Sequence, residues 1–507
     1  MSIMNVSYLL VNSAGKYPDR TAIISEEKHF SYKAFNQRVN RLAHAMRQHG
    51  LKKGDRVAIM FFNTYQFAEV YFAAVKSGAP ATPVNFRFVA DEIEYIINNS
   101  GACFFFFGKE FEETIASTYH SLSEVKHFVC VDAQKGGFAH DYENFLSSGK
   151  PDEPEVDICE NDPCQIMYTS GTTGKPKGAV ISHSNIVWNL FNTISGREDK
   201  SEEISLIIGP MYHTAGLNNH FTIQIALGGT CILIKKFEPE TVLRYIEEKR
   251  VNVISGSPSM YNILLQHPKI NDFDTSSISK CTAGAAILPV EIKEKLLKIF
   301  PKANGIYDVY GCTEASPTIT VLKGKDSFGK HGSVGQAVRF LQVKVIDEGG
   351  NTTPPNRIGE LICKGPNVMQ QYYRDHKATE EVIKNGWLYT GDLATIDEEG
   401  YFYIVDRKKD MISSGGENIY PRELEEVLFG HPAVADAAVV GIPDAVWGET
   451  VKAFVVLKKG MSMDAQQIIN YCKEHLASYK KPKAVSFVES IPKNPSGKVL
   501  KRLLKAL

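Results

Sequence analysis

The sequence predicts an α/β fold: a large N-terminal domain of two α/β subdomains plus a small β-rich subdomain, followed by a small α+β C-terminal domain. Three observations predict it. Short apolar runs alternate with amphipathic helical patterns over residues 21–131 and again beyond residue 179, the rhythm of mostly parallel sheets covered by helices. From about Ser333 to Val405 the pattern shortens into strands and turns. A new unit then begins near Asp406. The division expected is 1–405 and 406–507, because 507 residues exceed a single core.

In chain order, Ser31 is placed to cap a helix whose apolar residues Phe35, Val39, Leu42, Ala43 and Met46 share one face, ending at Gly50. Arg56 to Phe62 reads as a buried strand, Phe67 to Lys76 as a helix stopped by Gly78, and Cys103 to Phe107 as a second buried strand. Residues 133–163, rich in Gly, Ser, Pro and acid, read as a surface connection. Further strands are expected at Ser205 to Ile208, Thr230 to Ile234, Val251 to Ser255 and Gly305 to Tyr310. Helices are expected at Leu217 to Leu227, Pro239 to Lys249, Pro258 to Gln266 and Pro289 to Phe300. The last unit holds a helix after Pro421, strands at Ala437 to Val440 and Ala453 to Leu457, and a helix at Ala465 to His475.

Composition excludes several classes. The net charge is −1, so no global field points to nucleic acid or to an anionic membrane. No run approaches the roughly 18 apolar residues of a membrane span, and the N-terminus shows no secretory pattern. Nine cysteines without CxxC spacing read as reduced thiols, hence a cytoplasmic protein.

The most informative stretch is Tyr168-Thr169-Ser170-Gly171-Thr172-Thr173-Gly174-Lys175-Pro176-Lys177-Gly178, bounded by apolar runs. Glycines let backbone N–H groups converge on an anion, hydroxyls donate further hydrogen bonds, and lysines balance charge. That is the chemistry of a polyphosphate cradle. It is not a Walker loop, since Thr169 stands five residues before Gly174 and Pro176 follows Lys175. A second stretch, Tyr307-Asp308-Val309-Tyr310-Gly311-Cys312-Thr313-Glu314, closes a strand, where open α/β sheets collect ligands. A carboxylate there, Glu314, suits Mg²⁺ shared with phosphate oxygens.

Together these strings resemble the signatures of the adenylate-forming (AMP-binding) superfamily, in particular fatty-acid and 4-coumarate or benzoate CoA ligases. Further matches follow in order: Gly284-Ala285-Ala286, Tyr389-Thr390-Gly391-Asp392, Asp406-Arg407-Lys408-Lys409, Ser414-Gly415-Gly416 and Pro495-Ser496-Gly497-Lys498. The resemblance implies a mobile C-terminal lid and three small molecules, ATP, Mg²⁺ and coenzyme A. By it, residues 169–175 and Lys177 hold phosphates; Thr313 contacts the α-phosphate and Glu314 holds the metal. Gly284, Ala285, Ala286, Asp308, Tyr310 and Gly311 border adenine, while Asp392 and Arg407 take the ribose. Lys409 is the hinge, Gly415 and Gly416 border the pantetheine tunnel, and Lys498 bridges carboxylate and α-phosphate. His213 stands beside the acyl carboxylate, with Ala215, Asn219, Met260 and Pro317 as further walls.

The activity implied is an ATP-dependent acid–CoA ligase acting through an acyl-adenylate. No acidic residue stands across 213–227 to hold an α-ammonium, and burying an ammonium alone is costly, so a plain fatty or aromatic acid fits better than an amino acid. Transfer to a carrier protein's phosphopantetheine is the alternative acceptor, and a non-catalytic nucleotide-binding scaffold the remote one. Many relatives are homodimers, and nothing in the residues supports or excludes that assembly here.

Overall fold

The computed structural model describes residues 5–169, 175–284, 286, 288–415, 417–493 and 499–506. The chain forms two compact units, one of residues 1–343, 363–388 and 400–402, the other of 344–362, 389–399 and 403–507.

The first unit contains two large sheets. The eight-stranded sheet runs in the order Gln371–Tyr372, Lys177–Ser182, Pro163–Thr169, Ala81–Pro83, Arg56–Met60, Ala102–Phe107, His127–Cys130 and His140–Asp141. It is parallel from Pro163–Thr169 onward, and antiparallel where Lys177–Ser182 and Gln371–Tyr372 join. Phe104, Phe105, Phe106 and Phe107 are all buried, so both faces of that strand are covered. A continuous apolar run is what a sheet layered on both sides requires.

The nine-stranded sheet runs Gln336–Ala337, Thr318–Leu322, Ile306–Gly311, Lys280–Gly284, Val253–Gly256, Ile204–Ile207, Thr230–Leu233, Thr21–Ser25 and Lys28–Ser31. Its six middle strands, from Ile306–Gly311 through Thr21–Ser25, are parallel. Helices Pro239–Lys249, Pro258–Leu265 and Val290–Ile299 bury Val242, Leu243, Ile246, Tyr261, Leu264 and Leu296 in the same core. Ser31 caps Tyr32–Gln48, its hydroxyl accepting the amide of Ala34 at 3.2 Å.

Three expectations are corrected. Thr21–Ser25 joins the nine-stranded sheet beside Thr230–Leu233, in a different sheet from Arg56–Met60 and Ala102–Phe107. Residues 133–163 are more than a surface connection: they include strand His140–Asp141 and helix Tyr142–Ser147, whose Tyr142, Phe145 and Leu146 are buried. The expected helix at Leu217 to Leu227 begins earlier, at Thr214, and passes through a π-helical turn at Leu217–Phe221.

In the second unit, strands Glu417–Ile419, Ile412–Ser414, Gly448–Leu457 and Val434–Asp444 form an antiparallel sheet, and Ala484–Phe487 pairs parallel to Gly448–Leu457. Helices Pro421–Phe429 and Ala465–His475 place Leu424, Leu428, Ile468 and Cys472 against Val439, Val451, Ala453 and Val455. A further five-stranded sheet includes Gln342–Ile346, Gly359–Lys364 and Trp387–Ile396, the strands along which the chain passes from one unit into the other. Among the described residues, no helix is long and apolar enough to cross a membrane.

Candidate active site

Strands Pro163–Thr169 and Lys177–Ser182 form a hairpin, so the glycine-rich loop is held at both ends by a ladder reaching Thr169↔Lys177. Ser170, Gly171, Thr172, Thr173 and Gly174 lie outside the described residues. The flanks are well tied. Thr169 Oγ1 donates to the Lys177 carbonyl at 3.4 Å, and the Tyr95 hydroxyl donates to the Pro176 carbonyl at 3.1 Å. The Lys175 ammonium sits 5.3 Å from the centre of the Tyr95 ring, and that of Lys177 sits 5.4 Å from the centre of the Tyr372 ring. Aromatic faces hold both cations beside the loop.

Tyr372 is the residue that sequence reasoning missed. Its hydroxyl donates to Oε1 of Glu314 at 2.7 Å. Glu314 lies in the short turn Thr313–Ala315, directly beyond the strand Ile306–Gly311, and its carbonyl accepts the Met369 amide at 2.7 Å. Asn367 donates to the carbonyls of Ala315 and Thr318, and Asn185 to those of Pro366 and Val368. Tyr372 then pairs with Ala179 on the hairpin. The segment 366–372 therefore straps Glu314 to the loop flank. No local motif signals this; only the pairing with Ala179 brings the tyrosine in.

Asp308, Tyr310 and Gly311 follow along one strand, beside Gly284 at the end of the neighbouring strand (Gly284↔Val309). A Cβ at Gly311 would collide with the Pro317 carbonyl, which explains the glycine. Asp308 is buried, and its Oδ2 accepts from Lys293 Nζ at 2.6 Å. Burial pushes its carboxyl pKa up, and Lys293 acts in the opposite sense. Ala286 is exposed, and Ala285 lies outside the described residues.

His213 precedes the helical stretch, and its ring packs 4.5 Å from that of Tyr212. Its Nε2 is buried with no hydrogen-bond partner. Burial, with Arg87 nearby, lowers its pKa to about 4, so the imidazole is neutral at pH 7. The expected acyl-wall residues have different surroundings. Asn219 is buried with its amide engaged by Asn189 at 2.9 Å and Thr318 at 2.8 Å, next to buried Pro317. Met260 packs against the core around Ile254 and Tyr261, and Ala215 is exposed. A Cβ at Gly216 would strike the Pro210 carbonyl.

In the second unit, Arg407 Nε meets Asp392 Oδ1 at 2.7 Å, and its Nη1 donates to the Thr390 carbonyl at 3.1 Å. Lys409 is exposed in the turn after strand Phe402–Arg407. Gly415 has φ of +62°, and a Cβ there would lie 2.5 Å from the Trp447 ring. Gly416 and Lys498 lie outside the described residues.

Residues 10–373 match the AMP-binding enzyme family, and residues 423–498 match the AMP-binding enzyme C-terminal domain. The chain belongs to the AMP-binding enzyme family. A feruloyl-CoA synthase from Amycolatopsis is 36% identical over 491 residues, 97% of this chain and 96% of that protein. A long-chain-fatty-acid–CoA ligase from Bacillus subtilis is 35% identical over 98% of this chain and 93% of its own length. Among solved structures, the o-succinylbenzoate CoA synthetase of Bacillus subtilis in complex with its acyl-adenylate intermediate superposes with a TM-score of 0.87. It is 31% identical, over 98% of this chain and 97% of that one. For an AMP-binding enzyme, a lone carboxylate steadied by a phenol is a donor set that fits Mg²⁺ shared with phosphates better than a fully caged ion. No cluster of three or more His, Cys, Asp or Glu able to hold a metal occurs among the described residues.

Proposed function

We propose that this AMP-binding enzyme is an ATP-dependent acid–CoA ligase acting on a fatty or aromatic carboxylic acid. The observation that carries the reading is the Tyr372–Glu314 strap beside the hairpin loop, in a chain that aligns end to end with CoA ligases. In the first half-reaction the acid attacks the α-phosphate of ATP, giving acyl-AMP and pyrophosphate. Residues 169–175 and Lys177 hold the phosphates, Thr313 contacts the α-phosphate, and Lys498 bridges it to the carboxylate. Charge built up in that transfer is offset by donors fixed in advance. Glu314 would hold Mg²⁺, which supplies charge neutralisation at the phosphates. Gly284, Ala285, Ala286, Asp308, Tyr310 and Gly311 border the adenine, and Asp392 with Arg407 takes the ribose.

In the second half-reaction a CoA thiol attacks the adenylate carbonyl and releases acyl-CoA and AMP. Residues 406–507 are the part that moves between halves, with Lys409 the hinge and Gly415 and Gly416 beside the pantetheine arm. A lid serving both steps shields the adenylate from water. His213, neutral at pH 7, stands beside the acyl carboxylate without adding a second charge. Nine cysteines without CxxC spacing support a cytoplasmic location. A homodimer is the assembly suggested by resemblance, and light scattering tests it.

Acid-dependent exchange of labelled pyrophosphate into ATP tests the first half. Exchange that requires an acid supports the reading, and acid-independent or absent exchange across fatty and aromatic acids contradicts it.

A further inference from the structure

Asn63 is a buried amide to which the roles above assign nothing. It lies in the loop between strand Arg56–Met60, of the eight-stranded sheet, and helix Tyr65–Lys76. Among the described residues, its side-chain hydrogen bonds all go to the segment that leaves strand Ile204–Ile207, of the nine-stranded sheet. Nδ2 donates to the carbonyls of Ile207 at 3.2 Å and Gly209 at 3.0 Å, and Oδ1 accepts the Met211 amide at 2.9 Å. Both N–H donors of the amide are thus engaged. Asn63 is 4% exposed, so removing its amide leaves backbone groups unmatched rather than hydrated. Both loops that it joins stand beyond the carboxyl ends of parallel strands, where open α/β sheets collect ligands.

The segment so tied carries His213. The Pro210 carbonyl accepts the His213 amide at 3.1 Å, and the His213 carbonyl accepts the Leu217 amide at 2.9 Å. The backbone of Gly216 lies against the same turn, since a Cβ there would strike the Pro210 carbonyl. His213 Nε2 has no hydrogen-bond partner, so the imidazole takes its place from this backbone and from the neighbouring Tyr212 ring. We infer that Asn63 is the positioning residue for His213: by fixing the turn Gly209–Met211 across the two sheets, it sets the imidazole against the acyl carboxylate and governs the grip on the acid rather than on ATP. The inference rests on the ligase reading and on the place proposed there for His213. A misplacement of about 1 Å at such a group can cost on the order of 100-fold.

The test is a double-mutant cycle on the full chain, read as the KM for the acid and for Mg-ATP in labelled pyrophosphate exchange, with dodecanoate, cinnamate and benzoate as acid probes. Asn63→Ala is expected to raise the KM for the acid about tenfold and to leave that for Mg-ATP within about threefold. In a His213→Ala background, the same change is expected to alter the acid KM no more than about twofold, because residues acting as one unit are not additive. A merely structural role would give equal factors in both backgrounds. Asn63→Gln, which keeps the amide on a longer arm, is expected to recover part of the acid KM; it replaces Asn63→Ala in the cycle should the alanine variant fail to fold. An unchanged acid KM, equal rises for acid and Mg-ATP, or equal factors in both backgrounds overturns this inference and leaves the ligase reading standing. Absence of exchange by the wild type with all three acids overturns the ligase reading and this inference with it.

Discussion

The Tyr372 hydroxyl lies 2.7 Å from Oε1 of Glu314, and the same ring faces the ammonium of Lys177. One aromatic side chain thus orients a carboxylate proposed for metal binding and a lysine proposed for phosphate. A hydrogen bond to a charged group is worth about 1.5–3 kcal/mol. Tyr372→Phe removes the hydroxyl while keeping the ring. The Mg²⁺ concentration giving half-maximal rate should rise about tenfold, with Lys177 still seated. An unchanged Mg²⁺ dependence would show that the phenol does not orient Glu314 for the ion.

Asp392 and Arg407 form the comparable pair in the second unit, at 2.7 Å. Asp392→Ala should lower kcat/KM for ATP by roughly 30-fold, about 2 kcal/mol of charge-assisted hydrogen bonding. It should also abolish any preference for ATP over 3′-deoxy-ATP. A variant that loses activity yet keeps that preference would remove the ribose from the account of Asp392.

By the proposed function, Lys498 and the glycine turn divide the two half-reactions. Lys498→Ala should slow adenylate formation by at least about 100-fold, the scale of losing a charge-stabilising donor. Thioester formation from supplied acyl-adenylate should stay within about threefold. Gly415→Ala should do the reverse, since φ of +62° and the Trp447 ring both oppose a Cβ, and it should cost roughly 1 kcal/mol or more of stability. Equal losses in both halves for Lys498→Ala would withdraw it from the first step.

Histidines that the fold holds neutral, His183, His213 and His220 among them, make stability pH-dependent. His183, whose Nδ1 accepts the Val6 amide at 3.2 Å, and His213 both have pKa values lowered to about 4, chiefly by burial. Unfolded, each titrates near 6.5. Their contribution is therefore complete above about pH 6.5 and is lost as pH falls toward 4, because the unfolded chain binds protons that the fold refuses. By pH 5 the loss is about 2 kcal/mol per histidine. Urea midpoints at pH 7 and pH 5 measure it, and His183→Gln should reduce the difference. Identical midpoints for the wild type at both pH values would contradict the buried neutral imidazoles.

Much of the fold is legible because periodicity is local. Helices Pro239–Lys249 and Ala465–His475 appear at the bounds that their apolar spacing and caps imply. Sheet membership is not local: nothing in Thr21–Ser25 says that it pairs with residues some 200 positions later, since any buried apolar strand fits either sheet. The π-helical turn at Leu217–Phe221 is equally silent, because one extra residue per turn barely alters an apolar pattern. At the site, the strings around Asp308 and Glu314 could be read because a motif marks them. Tyr372 and Lys293 could not, for each acts through a partner distant in sequence, at 58 and 15 positions.

The central claim is acid–CoA ligation through an adenylate. The most direct measurement is release of pyrophosphate and AMP from Mg-ATP across short, medium and long fatty acids, benzoates and cinnamates, each with and without CoA. The account predicts sustained AMP release only when one acid class and CoA are both present, with an equal amount of acyl-CoA formed. AMP turnover that ignores CoA and needs a phosphopantetheine carrier instead, or no turnover with any acid, would contradict it.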